Sequence, residues 1–173
     1  MTDPRSQSMY QVRLGWGAAA LEQLAAAEIV VVVDALDSDD DLVAAATALS
    51  HAPTVFVSTL RNATATAKAV YEEQLARGGR TAISLVLTGD EGAFAVEDYL
   101  AAGAVADGLA AVGIDHSAPD VAVANEGFRA LKRALKHLLS ASATGLSLRA
   151  AGRGDEARAA AELDAEHEAT RVN

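Results

Sequence analysis

The stretch EIVVVVD (28–34) constrains the fold more than any other. A β-branched run this short is a strand, and its unbroken apolarity requires burial on both faces, as in a parallel sheet sandwiched by helices. TVFVSTL (54–60) and TAISLVLTG (81–89) repeat the pattern. Strands are therefore predicted near 29–34, 54–59 and 82–87. QVRLGW (11–16) alternates weakly and reads as a short edge strand. Helical stretches lie between them, at 17–27, 37–50 and 62–79, the last ended by Gly78 and Gly79. A helix at 94–113 follows. Residues 117–139 read as one amphipathic helix with Val121, Ala124, Phe128, Leu131, Leu135 and Leu138 facing inward. Two short helices or helical turns close the chain.

Strand and helix alternate three times before helices take over. This predicts a three-layer α/β fold, with a mainly parallel sheet, helices on both faces and a helical C-terminal segment. No internal repeat or linker divides the chain, so residues 1–173 are expected to form a single domain. Residues 1–9 and 168–173 are expected to fray.

Charge narrows the partners. Of 173 residues, 24 are Asp or Glu and 14 are Lys or Arg, for a net charge of −10. That argues against nucleic acid or an anionic membrane surface as the main partner. A phosphate ester would need a local cluster of donors or a bridging metal. No cysteine is present, which excludes disulfides, thiolate metal sites and a cysteine nucleophile. MTDPRSQSMYQ carries no apolar signal core, and no apolar run reaches the roughly 20 residues of a membrane helix. A cytoplasmic location is the expectation.

In parallel α/β sheets the site lies at the carboxyl ends of the strands. Three segments point there: DALDSDDD (34–41), STLRNAT (58–64) and TGDEGAFAVED (88–98). The acid run fails as an EF-hand loop starting at Asp37, because Leu42 and Ala48 stand where Gly and Glu belong. Asp37-Ser38-Asp39 has the Asp-x-Asp spacing of a haloacid-dehalogenase-type phosphatase. However, Asp41 replaces the Thr or Val of that loop, and the loop starts three residues beyond the strand. Asp39–Asp41 otherwise read as an acidic first helical turn, with Asp37 or Ser38 as N-cap. Asp34 sits on the strand end itself, as either a metal ligand or a structural cap. Arg61 and Asn62 precede a helix N-terminus, which suits an anion; the alternative is a plain Asn62 N-cap beside an exposed arginine. Asp90 and Glu91 lie in a turn, and Glu97 and Asp98 open a helix. Such carboxylates suit Mg²⁺ or serve as an ordinary acidic helix start. His51, His116, His137 and His167 show no ligand spacing.

VFVSTLRNATATAKAV (55–70) and TGDEGAFAVEDYLAAGAVADGL (88–109), taken together, resemble the 2-phosphosulpholactate phosphatase family, the Mg²⁺-dependent phosphatases of coenzyme M biosynthesis and their bacterial relatives. The shared pattern is a strand, Leu-(Arg or Leu)-Asn-Ala-(Ser or Thr), a helix, a strand, a Gly-containing turn, then Glu-Asp and Ala-Gly-Ala. SASATGLSLRAAGRGDEARAAAELD (140–164) is similar to the family's ending, and VRLGWG and VVVVDAL to its opening.

The resemblance implies a phosphoric monoester hydrolase that uses Mg²⁺ and takes a small phosphorylated acid. Asp34, Glu97 and Asp98 would be metal ligands or water-orienting catalytic groups. Arg61 and Asn62 would bind phosphate, and Gly89, Gly92 and Gly103 match glycine positions. A homo-oligomer is also expected. Two departures predict reduced activity. The family's polar, Arg-containing segment after the strand-end Asp is replaced here by Asp37, Asp39, Asp40 and Asp41, which repel a dianionic ester unless a metal intervenes. Only SHAP (50–53) separates helix from strand where family members carry further active-site segments. The alternative is an inactive relative kept as a binding or scaffold protein.

Overall fold

The computed structural model describes residues 3–36 and 39–173. Its sheet contains β1 (Val12–Trp16), β2 (Ile29–Val33), β3 (Thr54–Ser58), β4 (Ile83–Leu87) and β5 (Thr170–Arg171). They lie in the order β1-β4-β2-β3-β5. The first four are parallel, and β5 runs antiparallel to β3. The strands match the predicted ones to within a residue or two, and β1 takes the expected edge.

β2 is the centre of the sheet, with Val31 level with Phe56 on one side and Leu85 on the other. Alternate residues of β2 serve two cores. Ile29, Val31 and Val33 join Phe56, Leu85 and Leu87 in the larger one. Helices α3 (Ala63–Ala76), α4 (Val96–Ala111) and α5 (Pro119–Leu131) cover that face. Val30 and Val32 turn to the smaller core, under α1 (Gly17–Gln23) and α2 (Asp40–Thr47). Each buried Val or Ile contributes about 2 kcal/mol of transfer free energy, which is why this run cannot be an edge strand or a surface helix. The fold is therefore the expected three-layer α/β arrangement.

The helical C-terminal segment comprises α6 (Leu135–Ala141), α7 (Ala143–Ala150) and α8 (Gly154–Ala160). The helix expected over 117–139 is broken. A 3-10 turn at Lys132–Ala134 separates α5 from α6. Leu131, expected inside, is 41% exposed, while Leu135 and Leu139 are buried beyond the break. All the residues around the break are good helix formers, so packing overrides propensity here.

The chain ends also depart from expectation. Residues 168–173 hold the sheet edge instead of fraying. Val172 N–H donates to Val55 O, and the Asn173 side chain bonds Val55 N–H at 2.8 Å and Pro53 O at 3.1 Å. Among residues 3–9, the Gln7 amide spans the free edge of β1, accepting from Leu14 N–H at 3.0 Å and donating to Leu14 O at 2.9 Å. These bonds satisfy edge groups that would otherwise invite strand addition.

Candidate active site

Strands β2 and β4 are neighbours, but the chain leaves them toward opposite faces, into α2 and α4 respectively. Such a switch point opens a crevice outside the strand ends. A cleft of about 350 Å³ lies there, walled by Asp34 after β2, Thr88 and Gly89 after β4, and the starts of α2, α4 and α7.

The sequence builds this cleft locally. Asp34 N–H continues the ladder to Ser58 O, and Thr88 N–H bonds Val33 O, so both strand ends stay in register one residue further. Asp34 is 6% exposed, and its Oδ1 accepts from Leu36 N–H at 3.3 Å in a tight turn. Gly89 (φ +68°) starts the turn to α4, closed by reciprocal backbone bonds between Asp90 and Ala93. A Cβ at Gly89 would lie 2.1 Å from Ala93 O, so only glycine fits. Trp16, Phe94 and Tyr99 pack behind this turn, with centroids 5.4–6.0 Å apart.

Glu97 and Asp98 lie in the first turn of α4, each 4% exposed. Asp98 does not cap its own helix but reaches both strand ends. Its Oδ1 accepts from Ala35 N–H and its Oδ2 from Gly89 N–H, each at 2.8 Å. Burial pushes its carboxyl up to about 7, the charges of Asp34 and Glu97 push the same way, and the two N–H bonds oppose the shift. Thr88 Oγ1 is buried against the cleft without a hydrogen-bond partner among the described residues.

The acid run has two roles. Asp39 is the N-cap of α2, accepting from Leu42 N–H at 2.9 Å, and Asp40 and Asp41 fill the first turn. All three also line the cleft. The expected cap at Asp37 or Ser38 lies outside the described residues. Asp90 and Glu91 are exposed in their turn and do not line it.

Asp34, Glu97 and Asp98 are thus brought together, but Arg61 and Asn62 are not. Neither lines the cleft. Asn62 stands at the N-cap position of α3 without capping it. Its Oδ1 instead accepts from Ser58 Oγ and Thr59 N–H, and its Nδ2 donates to Val57 O, so it holds the end of β3. Arg61 donates to Glu166 at 2.8 Å, Glu162 at 3.3 Å and Ala159 O at 2.8 Å. Thr64 N–H and Oγ1 both donate to the Asp164 carboxylate, at 2.9 and 2.8 Å. Carboxylates from residues 162–166 thus occupy the start of α3, where the sequence suggested room for an anion. Sequence reasoning missed Thr88 and Thr144 as cleft residues. Thr88 follows a strand directly, which was the available signal; Thr144 had none.

The family model for 2-phosphosulpholactate phosphatase matches residues 40–169 of the 173. The chain belongs to that family. The family assignment points to a phosphatase of the 2-phosphosulpholactate type. The match takes in Glu97, Asp98, Arg61 and Asn62, but begins after Asp34, so β1 and β2 lie outside it. No curated protein matches the chain.

Among the described residues, no three acid or histidine side chains close on one point as a metal site. The donor chemistry still fits a hard dication. The cleft offers carboxylate and hydroxyl oxygens, and the charges of Asp34 and Glu97 disfavour ionising Asp98, a cost a cation would relieve. No helix among the described residues is long and apolar enough to cross a membrane.

Proposed function

We propose that the chain is a Mg²⁺-dependent phosphoric monoester hydrolase working at the switch-point cleft, with activity reduced from the family pattern. The observation that carries this is the convergence of Asp34, Glu97 and Asp98 on one cleft in a chain of this family. Asp34 and Glu97, with Asp98, would hold the ion. When bound, Mg²⁺ supplies charge neutralisation at the phosphoryl oxygens and polarises water. Glu97, buried and facing the cleft, orients the attacking water. Asp98, whose carboxyl burial and the charges of Asp34 and Glu97 push up in the metal-free chain, would join the ion's shell as the carboxylate.

The test is phosphate release from p-nitrophenyl phosphate. Turnover should need Mg²⁺, stop with a chelator, and fall roughly 10²-fold or more in Glu97→Gln. Turnover indifferent to metal and to Glu97 would retire the mechanism.

One observation favours a second reading, an inactive relative that acts as a binding or scaffold protein, as a homo-oligomer. Arg61, the arginine on the family motif, is held by Glu162 and Glu166. Absence of turnover on any ester, with a defined oligomer in solution, would support it.

A further inference from the structure

The cleft walls carry charges in two tiers. Asp34, Glu97 and Asp98 are buried at its floor, and Asp39, Asp40 and Asp41 form its rim on the first turn of α2. Among the described residues no Lys, Arg or His lines it. The nearest cation by sequence argument, Arg61, is spent on residues 159–166. Acid residues alone would say little. A further feature points to a ligand: Glu97 is 4% exposed yet lines the cleft.

The charge balance then bears on substrate. A phosphate monoester brings two negative charges at its phosphoryl group, and a dication that bridges it to the floor carboxylates is fully used between them. The organic part of the ester therefore meets the rim with its acids uncompensated. A second anionic group, such as a carboxylate or sulfonate, has no cation to face and is repelled by Asp40 and Asp41; an ammonium group is attracted. The compound in the family's name carries both a carboxylate and a sulfonate. Among the described residues, no basic side chain lines the cleft to receive either.

We infer that this cleft takes phosphate monoesters whose organic part is neutral or cationic, that it discriminates against esters bearing further anionic groups, and that Asp40 and Asp41 are the specificity-determining residues. The inference rests on the phosphatase reading, so the experiment separates the two. O-phosphocholine and 3-phosphoglycerate are compared with Mg²⁺ present at low ionic strength, by turnover and, independently, by binding calorimetry. O-phosphocholine should be favoured by about tenfold or more in both, a preference that shrinks with added salt and in the double variant Asp40→Asn, Asp41→Asn. Equal or better handling of 3-phosphoglycerate overturns the inference. So does a preference indifferent to both salt and the double variant, or failure of O-phosphocholine to bind. Preferential binding of O-phosphocholine with no turnover of either ester would leave the inference standing and retire the phosphatase.

Discussion

A carboxylate that accepts two backbone N–H bonds is ordinarily held ionised, and Asp98 is the exception that burial makes. Its two bonds, to Ala35 and Gly89, are outweighed by burial and by the charges of Asp34 and Glu97, so it titrates near 7 instead of 3.8. The sign of the linkage follows. A raised carboxyl lets the native state bind a proton that the unfolded chain has already lost, so this stabilisation is full below about pH 4. It is lost as pH rises toward 7, at up to about 1.4 kcal/mol per pH unit. Asp98→Asn removes that slope and adds a fixed cost of about 1–3 kcal/mol, because its amide N–H₂ must face a backbone N–H. In metal-free buffer the native protein should exceed the variant in stability by most near pH 4, and the gap should narrow by pH 8. Urea unfolding at a series of pH values checks this, and parallel curves for the two proteins would contradict the assignment of the proton to Asp98.

Elements in this fold are set by close backbone contact as much as by apolar periodicity. Helices α4 and α5 touch at Gly103, where a Cβ would lie 2.2 Å from Ala124 O and 2.7 Å from Phe128 Cβ. Neither helix can yield without dragging its own ladder, so Gly103→Ala should cost about 2–4 kcal/mol. Gly127, in α5, has open space where its Cβ would be. There the methyl meets nothing and the unfolded chain loses freedom, so Gly127→Ala should stabilise by up to about 1 kcal/mol. Two Gly-to-Ala changes on one helix pair thus have opposite signs, read directly from denaturation midpoints. Equal effects would mean that helix propensity, not the α4–α5 contact, governs both. The break between α5 and α6 belongs to the same scale. No residue from Leu131 to Leu135 announces it, since the turn brings Leu135 and Leu139 into the core under tertiary packing alone.

At the scale of the whole molecule, what a sequence discloses depends on how local its cause is. The strands were legible because Val30–Val33, Val55–Val57 and Ile83–Leu87 carry their burial in their own composition. Half of the site was legible for a similar reason: Asp34, Glu97 and Asp98 lie at strand and helix ends, and parallel topology brings such ends to one edge. The fates of Arg61 and Asn62 were not, because their partners are about 100 residues away or within a turn whose geometry the sequence leaves open. The same distance hid the docking of residues 170–173 on β3. What emerges is a chain with a net charge of −10 in which the start of α3 is filled by its own carboxylates, while the switch-point cleft is acidic. That division predicts how small ions act on stability. Mg²⁺ should raise the melting temperature at pH 8, where Asp98 is ionised, and less at pH 5, where it holds its proton. At about 100 times its Kd the ion adds roughly 2.7 kcal/mol, worth several degrees in a chain of this size. Phosphate alone should add nothing, because the cleft offers it no cation, yet should add a further rise once Mg²⁺ is present. A thermal-shift titration decides it. A clear rise with phosphate in the absence of metal would mean that Arg61 and the start of α3 release Glu162, Asp164 and Glu166 to an external anion, placing anion binding there and not in the cleft.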